Sequence, residues 1–353
     1  MRYPLAYTVS IVFAAVVVGG FYLGGVGYFA LPIVTYILIP PIDALCGLSR
    51  WPSEKRIAEI TPAAEWQYRN ALVLSGLVSM ALLGWALWAA SHTPLLWWQF
   101  AGLALSIGMN AGMTGIVVAH ELVHRKEPLT DALASLIMST IGYAHYPVEH
   151  VYSHHAKVGT VEDPVTARRS ESVYAFAVRS CFGGLKAGWE IEAARLRRAG
   201  KPVFSPSNRI LRWQVFIALL VASVTLILGP PSLLLLAVQA LVAVFIFESV
   251  NYIEHYGLVR KAGADGRLER IGIQHSWNSS HILTNVGLFN AGRHADHHLE
   301  PRRPYYKLRH YDDAPQLPYG YPGMILIAAL PPLWFHIMDR EIDRLGAHAG
   351  MAG

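Results

Sequence analysis

The sequence contains four short clusters of histidine, the residue that most often ligates metals in proteins. Of its 16 histidines, 13 lie between His120 and His310, and nine of these belong to the clusters. Neighbouring imidazoles repel one another or waste hydrogen-bonding capacity unless something binds them together. The isolated histidines are interpreted as hydrogen-bonded polar residues: His92, His145, His275, His281, His310, His336 and His348.

The first two clusters have helical spacing. His120 and His124 are four residues apart, which places both imidazoles on one face of a helix. His150 and His154 have the same spacing, and His155 would lie about 100° further round the helix. The first cluster therefore offers two ligands to a metal, and the second offers up to three.

The third and fourth clusters complete the set. His255 stands in the segment NYIEHYG, and His294, His297 and His298 have spacings of three and four residues that converge on one helical face. Nine clustered histidines exceed the needs of one metal ion. Imidazole suits iron, copper, zinc and nickel, so iron and zinc both remain open on this ground.

The first cluster also matches HExxH, a zinc protease motif in which Glu121 would be the general base. This motif is short and recurs by chance. A protease needs one further ligand, and the seven other clustered histidines would then have no role. A membrane zinc protease is therefore a minor alternative.

The composition predicts a membrane protein. The chain has 353 residues, of which 53% are apolar and only 15% are charged. Its two cysteines, Cys46 and Cys181, are far apart, which excludes a disulfide framework and a cysteine-held iron–sulfur site. The net charge of +5 is explained by membrane orientation and anionic lipid, and requires no nucleic-acid partner.

Six apolar runs without lysine or arginine are long enough to form transmembrane helices. They cover residues 5–21, 22–44, 71–90, 95–119, 213–228 and 232–252. Glycines near residues 19–25, the segment 91–94 and the segment 229–231 provide the turns of three helical hairpins. The expected fold is all-α: a single polytopic domain over residues 1–353, with the first run retained as a span.

The distribution of basic residues predicts the orientation. With the N-terminus inside the cell, every lysine and arginine falls on the cytoplasmic side, as the positive-inside rule requires. The C-terminus and all four histidine clusters are then also cytoplasmic. The segment 323–338 is apolar but is interrupted by Pro331 and Pro332, and it is expected to be interfacial or partly buried.

This placement favours a fixed cofactor over transport. A metal transporter would place its ligands near the middle of the bilayer, in facing spans. Here the histidines gather at one surface, beyond the ends of the spans. Two metals at the mouth of an apolar helical bundle fit a cofactor that activates dioxygen next to a cavity for a hydrophobic substrate.

The clusters resemble the signature of the integral-membrane, histidine-rich di-iron enzymes. NYIEHYG at 251–257 is similar to a motif of the alkane 1-monooxygenase (alkane hydroxylase) family and of xylene monooxygenase, which desaturases lack. Four further stretches also resemble that family: VEDP at 161–164, HSWN at 275–278, LRHY at 308–311 and PPLW at 331–334. The resemblance runs from about the third span to near the C-terminus.

The resemblance implies that the clustered histidines bind two non-haem iron ions, with dioxygen as co-substrate. These residues are His120, His124, His150, His154, His155, His255, His294, His297 and His298. The implied reaction is hydroxylation of the terminal methyl of alkanes to primary alcohols. The chain departs from the family in HELVHR, in Ser153 and in AGRHADHH, which keeps an aryl-methyl monooxygenase of the xylene or cymene type as the alternative, with a fatty acid desaturase or hydroxylase less favoured.

Carboxylates near the histidines are candidates for orienting the imidazoles. Glu248, Asp296 and Glu121 are the main ones, and Glu149, Glu254 and Asp163 could act similarly. Asp296 is preferred because it stands among three ligands, although its side chain is expected to point away from their face. Glu248 has the alternative of a hydrogen bond to a neighbouring helix.

Electrons must come from another protein, because the chain has no dinucleotide fingerprint and no cysteine cluster. The resemblance implies a rubredoxin or a ferredoxin with its NAD(P)H reductase, in a bacterial inner membrane. Basic residues of the cytoplasmic surface would complement an acidic carrier. They include Arg168, Arg169, Arg195, Arg197, Arg198, Arg302 and Arg303.

Overall fold

The computed structural model describes residues 4–125, 127–263 and 266–351. In these ranges the chain is helical, and extended pairing is limited to three isolated bridges. In chain order the helices are α1 (Pro4–Leu23), α2 (Gly25–Cys46), α3 (Glu54–Ala58), α4 (Pro62–His92), α5 (Trp97–Val123), α6 (Pro128–Ser139), α7 (146–157), α8 (Val173–Arg198), α9 (Arg209–Leu228), α10 (Pro230–His255), α11 (Ile282–Gly287), α12 (His294–Leu299), α13 (Tyr321–Ala328) and α14 (Pro331–Met351). The predicted all-α class is confirmed.

Six of these helices are long and apolar enough to cross a membrane: α1, α2, α4, α5, α9 and α10. They correspond one to one with the six predicted runs. The predicted turns also occur, since Gly24 and Gly25 both have positive φ between α1 and α2, and Gly229, with φ of 81°, separates α9 from α10. Such backbone angles favour glycine. The chain is thus a multi-pass membrane protein.

Several of the helices continue beyond the apolar runs that predict them. α4 begins at Pro62, where the Thr61 side chain caps it by accepting a hydrogen bond from the Ala64 backbone at 3.3 Å. α5 ends at Val123 and α10 at His255. Backbone hydrogen bonding does not stop where hydropathy changes, so these helices carry histidines beyond their apolar parts.

α5 and α10 pack closely because α5 presents glycine to its partner. A Cβ at Gly108 would lie 2.5 Å from the Val242 Cβ, and one at Gly112 would lie 3.1 Å from the Ile246 Cβ. Glycine at these positions lets the two helices approach. The contact brings the end of α5, which carries His120, next to the end of α10.

The apolar segment near the C-terminus forms two helices rather than one. α13 and α14 meet at an angle of 120°, and α14 begins at Pro331. A proline can occupy the first turn of a helix but interrupts a continuous one. Trp334 and Met338 are fully buried, which agrees with the predicted partly buried segment.

Candidate metal centre

The nine predicted ligands lie at one end of the helical bundle and form two sets. The first contains His120, His124, His150 and His297, and the second contains His154, His255, His294 and His298; within each set the candidate ligand atoms lie within 4.8 Å of one another. The Nε2 atom of His155 is 3.0 Å from that of His150 and 3.1 Å from that of His297. This places His155 with the first set, giving five and four.

A π-helical turn determines how the second cluster divides. Residues His150–His154 form this turn within α7, and a π-helix aligns residues five apart rather than four. His150 and His155 therefore point to the same set, while His154 points to the other. The expectation that His150 and His154 share a face is wrong, because it assumed 3.6 residues per turn throughout.

The fourth cluster also serves both sets. His294 and His298, four residues apart on α12, have their Nε2 atoms 3.0 Å apart, and His255 is 3.1 Å from His294. His297 instead approaches His155 in the first set. The three histidines of α12 therefore do not converge on one metal as their spacing predicted. The short helix lies between the two sets and links them.

The distances fit metal binding. Imidazole nitrogens about 2.1 Å from a common ion and at right angles to each other are separated by about 3.0 Å. The nearest Nε2–Nε2 distances, 3.0 to 3.1 Å, match that separation. Two nitrogen lone pairs at this distance repel unless a proton or a metal ion lies between them. Each set can therefore hold one metal ion.

The protonation states agree with this arrangement. Burial, and then the charges of neighbouring imidazoles, hold the pKa of His150, His155 and His297 well below the usual histidine range. The pKa values of His294 and His298 are lowered in the same way. Neutral imidazoles keep the lone pairs that a metal needs.

Two carboxylates orient ligands of the second set. His154 donates from Nδ1 to Asp163 Oδ2 at 2.9 Å, and the His294 Nδ1 lies 3.3 Å from Glu254 Oε1. Tyr321 donates to the same Glu254 oxygen at 2.6 Å. Each contact leaves the Nε2 atom free to face the metal and fixes the tautomer of the ring.

Two of the stretches that resemble the family hold α12 in place. Asn278, in HSWN, accepts a hydrogen bond from the Ala295 backbone at 3.0 Å. Tyr311, in LRHY, donates to Asp296 Oδ1 at 2.8 Å, and the Arg309 backbone donates to Oδ2 at 2.8 Å. These loops fix the position of the helix that joins the two sets.

The three carboxylates favoured from the sequence have other partners. Asp296 accepts from the 308–311 loop as described above, in agreement with its expected outward direction. Glu121 is paired with Arg125 and accepts from the Tyr305 backbone at 3.2 Å. Glu248 accepts from the Tyr143 hydroxyl at 2.7 Å, and Tyr143 lies in the loop between α6 and α7, so this bond goes neither to an imidazole nor to another helix. The imidazole-bonded carboxylates are instead the secondary candidates Asp163 and Glu254.

Most of the isolated histidines have ordinary hydrogen bonds. His92 Nδ1 lies 2.9 Å from the Trp88 carbonyl oxygen, and His275 Nε2 lies 3.1 Å from Glu269 Oε1. His310 contacts Arg293 and Asp312. His336 is exposed, and the side chain of His348 lies outside the described residues. His145 differs, because it is buried and its Nδ1 has no hydrogen-bond partner among the described residues.

Sequence reasoning missed the groups that surround the outer side of His150. Tyr143 and Tyr146 precede the second cluster, and Ser180 lies on α8, thirty residues beyond His150. No spacing rule links Ser180 to α7, since the contact depends on the packing of α8. Tyr146, four residues before His150, stacks on its ring with centroids 4.8 Å apart. That i, i+4 relation was the one available signal.

Comparison with known proteins identifies the family of the chain. A family model described as fatty acid desaturase matches residues 95–328. The chain is 39% identical over 318 residues to alkane 1-monooxygenase 1 of Pseudomonas aeruginosa, covering 89% of this chain and 82% of that protein. It is 38% identical over 323 residues to alkane 1-monooxygenase of Acinetobacter baylyi, covering 91% and 77%.

A more distant relative is the hydroxylase component of the xylene/toluene monooxygenase of Pseudomonas putida. The two chains are 28% identical over 336 residues, a match that covers 87% of that protein. The alkane 1-monooxygenases match at higher identity and over most of both chains. The chain is therefore a multi-pass membrane oxidoreductase that belongs to the alkane 1-monooxygenase family.

Proposed function

We propose that this protein hydroxylates the terminal methyl group of alkanes to give primary alcohols, using dioxygen and two iron ions bound by its nine clustered histidines. The observation that carries the proposal is the convergence of these imidazoles into two sets beside an apolar cavity. The names of the relatives, alkane 1-monooxygenases, supply the substrate class.

Iron is the metal that suits both the ligands and the reaction. Imidazole binds several transition metals, but breaking a strong C–H bond with dioxygen requires one that changes oxidation state, which zinc does not. When bound, the iron pair supplies the oxidising chemistry. His120, His124, His150, His155 and His297 would hold one iron, and His154, His255, His294 and His298 the other.

The apolar cavity supports a hydrocarbon substrate. It lies between α2, α5, α10 and α13, and the atoms that face it are apolar. Val117, three residues before His120, and Ala291, three before His294, both line it. Its inner end is therefore close to both metal-binding sets. The role of the chain here is to exclude water and to hold one end of the substrate near the irons.

An alkane test distinguishes the proposal from its nearest alternative. Cells that produce the protein with a redox partner are given octane and, separately, p-cymene or xylene, and the products are identified. Octan-1-ol from octane is the expected result. Benzylic alcohol alone would move the substrate to aryl methyl groups, as in the name of the xylene/toluene relative.

Metal analysis tests the cofactor separately. Purified protein is expected to contain about two irons per chain, and about one zinc with no iron would overturn the proposal. His297→Ala should reduce both iron content and octane conversion. His336→Ala, which changes an exposed histidine on α14, is the matched control and should retain both.

We further propose that a rubredoxin or a ferredoxin docks beside the first set, on the cytoplasmic side of a bacterial inner membrane. A broad groove beside His124 and His155 is lined by four arginines and three carboxylates: Arg125, Arg209, Arg212, Arg302, Glu127, Asp131 and Glu300. This groove supports docking of an acidic carrier close to metal ligands. Of the seven arginines favoured from the sequence, Arg302 lines it, whereas Arg169, Arg195 and Arg303 pair with carboxylates.

A further inference from the structure

A small polar chamber lies on the outer side of α7, enclosed by α8 and α10. Its interior has room for about one water molecule. The polar residues around it are Tyr143, His145, Tyr146, Glu149, His150, Ser180, Glu248 and Asn251. All eight are at least nine-tenths buried, so the chamber lies inside the protein.

Four polar atoms at the chamber lack hydrogen-bond partners among the described residues. They are Glu149 Oε1, His145 Nδ1, the Tyr146 hydroxyl and the Ser180 hydroxyl, and these side chains are 3%, 5%, 2% and 2% exposed. Leaving a buried polar group unsatisfied is unfavourable, so four in one place call for a ligand. Water satisfies such a group because it both donates and accepts, and it needs two to four polar partners.

The packing of α8 keeps this space open. Glycine at two positions one turn apart, Gly184 and Gly188, faces α7. A Cβ at Gly184 would lie 3.5 Å from the Glu149 Cγ and 3.6 Å from the His145 Nε2. Because Gly184, which lines the chamber, has no side chain, α8 covers the chamber without filling it.

The chamber borders the first metal-binding set. His150 lines it, although the Nε2 atom of this residue lies 3.1 Å from that of His124 within the set. Tyr146 stacks on the same imidazole. Among the described residues, the candidate ligands that contact a carboxylate directly are His154 and His294, both in the second set. The first set has a carboxylate nearby in Glu149, which lines the same chamber as His150.

We propose that the chamber binds one water molecule, and that Glu149, acting through this water with His145 and Tyr146, is a positioning residue for His150. Water would thus provide for the first set the support that Asp163 and Glu254 give directly to the second. The positioning of His150 by Glu149 rests on the proposed metal function, whereas the water site does not.

The hydration site is tested by a high-resolution structure of the full chain in lipid nanodiscs, with and without iron. The expected result is water density about 2.7–3.2 Å from the Glu149 carboxyl group and from the His145 Nδ1 or the Tyr146 hydroxyl. The proposal is overturned if the chamber shows no density while other buried waters are visible, or if Glu149 bonds directly to His145. Neither result depends on alkane oxidation.

The positioning role is tested by comparing Glu149→Gln with Glu149→Leu. Glutamine keeps the polar contact. Its iron affinity should therefore lie within about twofold of wild type, with an unchanged Mössbauer spectrum. Leucine cannot bind the water, so iron retention at one site should weaken by about tenfold. This is the lower end of the effect seen when a residue that supports a metal ligand is removed. The Mössbauer spectrum of that iron should also change. Unchanged iron in Glu149→Leu, or equal damage in both variants, would overturn the role.

Discussion

Asp163 and Glu254 illustrate at the residue scale how a carboxylate can serve a metal ligand without touching the metal. Asp163 accepts hydrogen bonds from His154 at 2.9 Å and from the Thr166 hydroxyl at 2.7 Å. Burial by itself would raise the pKa of Asp163, but these hydrogen bonds and the nearby imidazoles lower it below the usual range. A carboxylate held ionised in this way fixes the tautomer and the direction of the His154 ring.

We expect Asp163→Asn to lower iron retention and octane conversion by roughly 10- to 100-fold. The amide keeps the size of the side chain, but its NH₂ group cannot accept the proton of His154, and its oxygen is a weaker acceptor than a carboxylate. Iron per chain and initial product formation are the measurements. Glu162→Gln is the control, because Glu162 is adjacent in sequence but 74% exposed on its side chain. Equal iron in the two variants would show that Asp163 does not orient its histidine.

The identities of the candidate ligands could be predicted from the sequence, but their division between two sets could not. Spacing indicates a shared face only if the helical period is known. His120 and His124 follow the α-helical period and belong to the same set. His150 and His154 lie in a π turn, which nothing in HVYSHH indicates. His297 and His298 are adjacent and serve different sets, which depends on the position of α12 between them.

At the scale of helices, α8 is joined to the start of α9 by a buried ionic group. Glu192, at the C-terminal part of α8, is fully buried and accepts from Arg195 at 2.7 Å and from Arg209 at 2.8 Å. The Arg209 backbone also donates to it at 2.8 Å. A carboxylate with this many donors is strongly favoured in its charged form. The contact fixes the loop between α8 and the next membrane helix.

Glu192 should make the stability of the protein dependent on acid pH. Burial raises the pKa of this carboxyl, but the hydrogen bonds from Arg195 and Arg209 outweigh that effect and lower it to about 2. A depressed pKa stabilises the fold above the unfolded value of about 4.3, and this contribution, roughly 3 kcal/mol, is lost as the pH falls towards 2. Thermal unfolding in detergent between pH 6 and pH 3 measures the first part of this loss, roughly half of it.

The comparison variant for that measurement is Glu192→Gln. It should unfold at a lower temperature than wild type at pH 6, and the difference should narrow as the pH falls. Lys186 and Glu190 are exposed on the same helix, so Glu190→Gln is a matched control that should follow the wild-type curve. A constant difference between wild type and Glu192→Gln at every pH would mean that the charge of Glu192 is not what stabilises the loop.

The helices could be predicted from the sequence where hydropathy determines their position. They could not be predicted where their position depends on packing against other helices. The six spans follow from apolar runs, yet α4 extends back to Pro62 through the charged residues Glu65 and Arg69. α8 has mixed composition, and its role depends on the small residues Gly184 and Gly188, which fit against α7. Predicting how two helices fit together in this way requires the surfaces of both to be known.

At the scale of the whole molecule, the histidine sets and the basic loops occupy one end of the bundle. The turns at Gly24, at 93–96 and at Gly229 contain no lysine or arginine. The positive-inside rule then predicts that the metal centre and both termini lie on the cytoplasmic side. This arrangement would allow a soluble electron carrier to reach the first set from the cytoplasm.

Topology reporters test the orientation. A fluorescent protein fused after Gly353 should fluoresce, because it would fold in the cytoplasm. Alkaline phosphatase fused after Thr93, in the turn between α4 and α5, should be active, because it would reach the periplasm. Active phosphatase at the C-terminus together with inactive enzyme after Thr93 would reverse the predicted orientation.

The groove beside the first set leads to a prediction about how an electron carrier docks. Arg212 and Arg302 line it and are exposed, so charge reversal at either should weaken docking of an acidic carrier without disturbing the iron ligands. With rubredoxin or ferredoxin as the donor, Arg212→Glu should raise the apparent KM for the carrier several-fold, and the difference from wild type should shrink as salt screens the charges. Arg198→Glu is the matched control, because Arg198 is exposed at the end of α8 and does not line the groove. If Arg198→Glu and Arg212→Glu raise the KM equally, the carrier responds to overall charge and the groove is not its docking site.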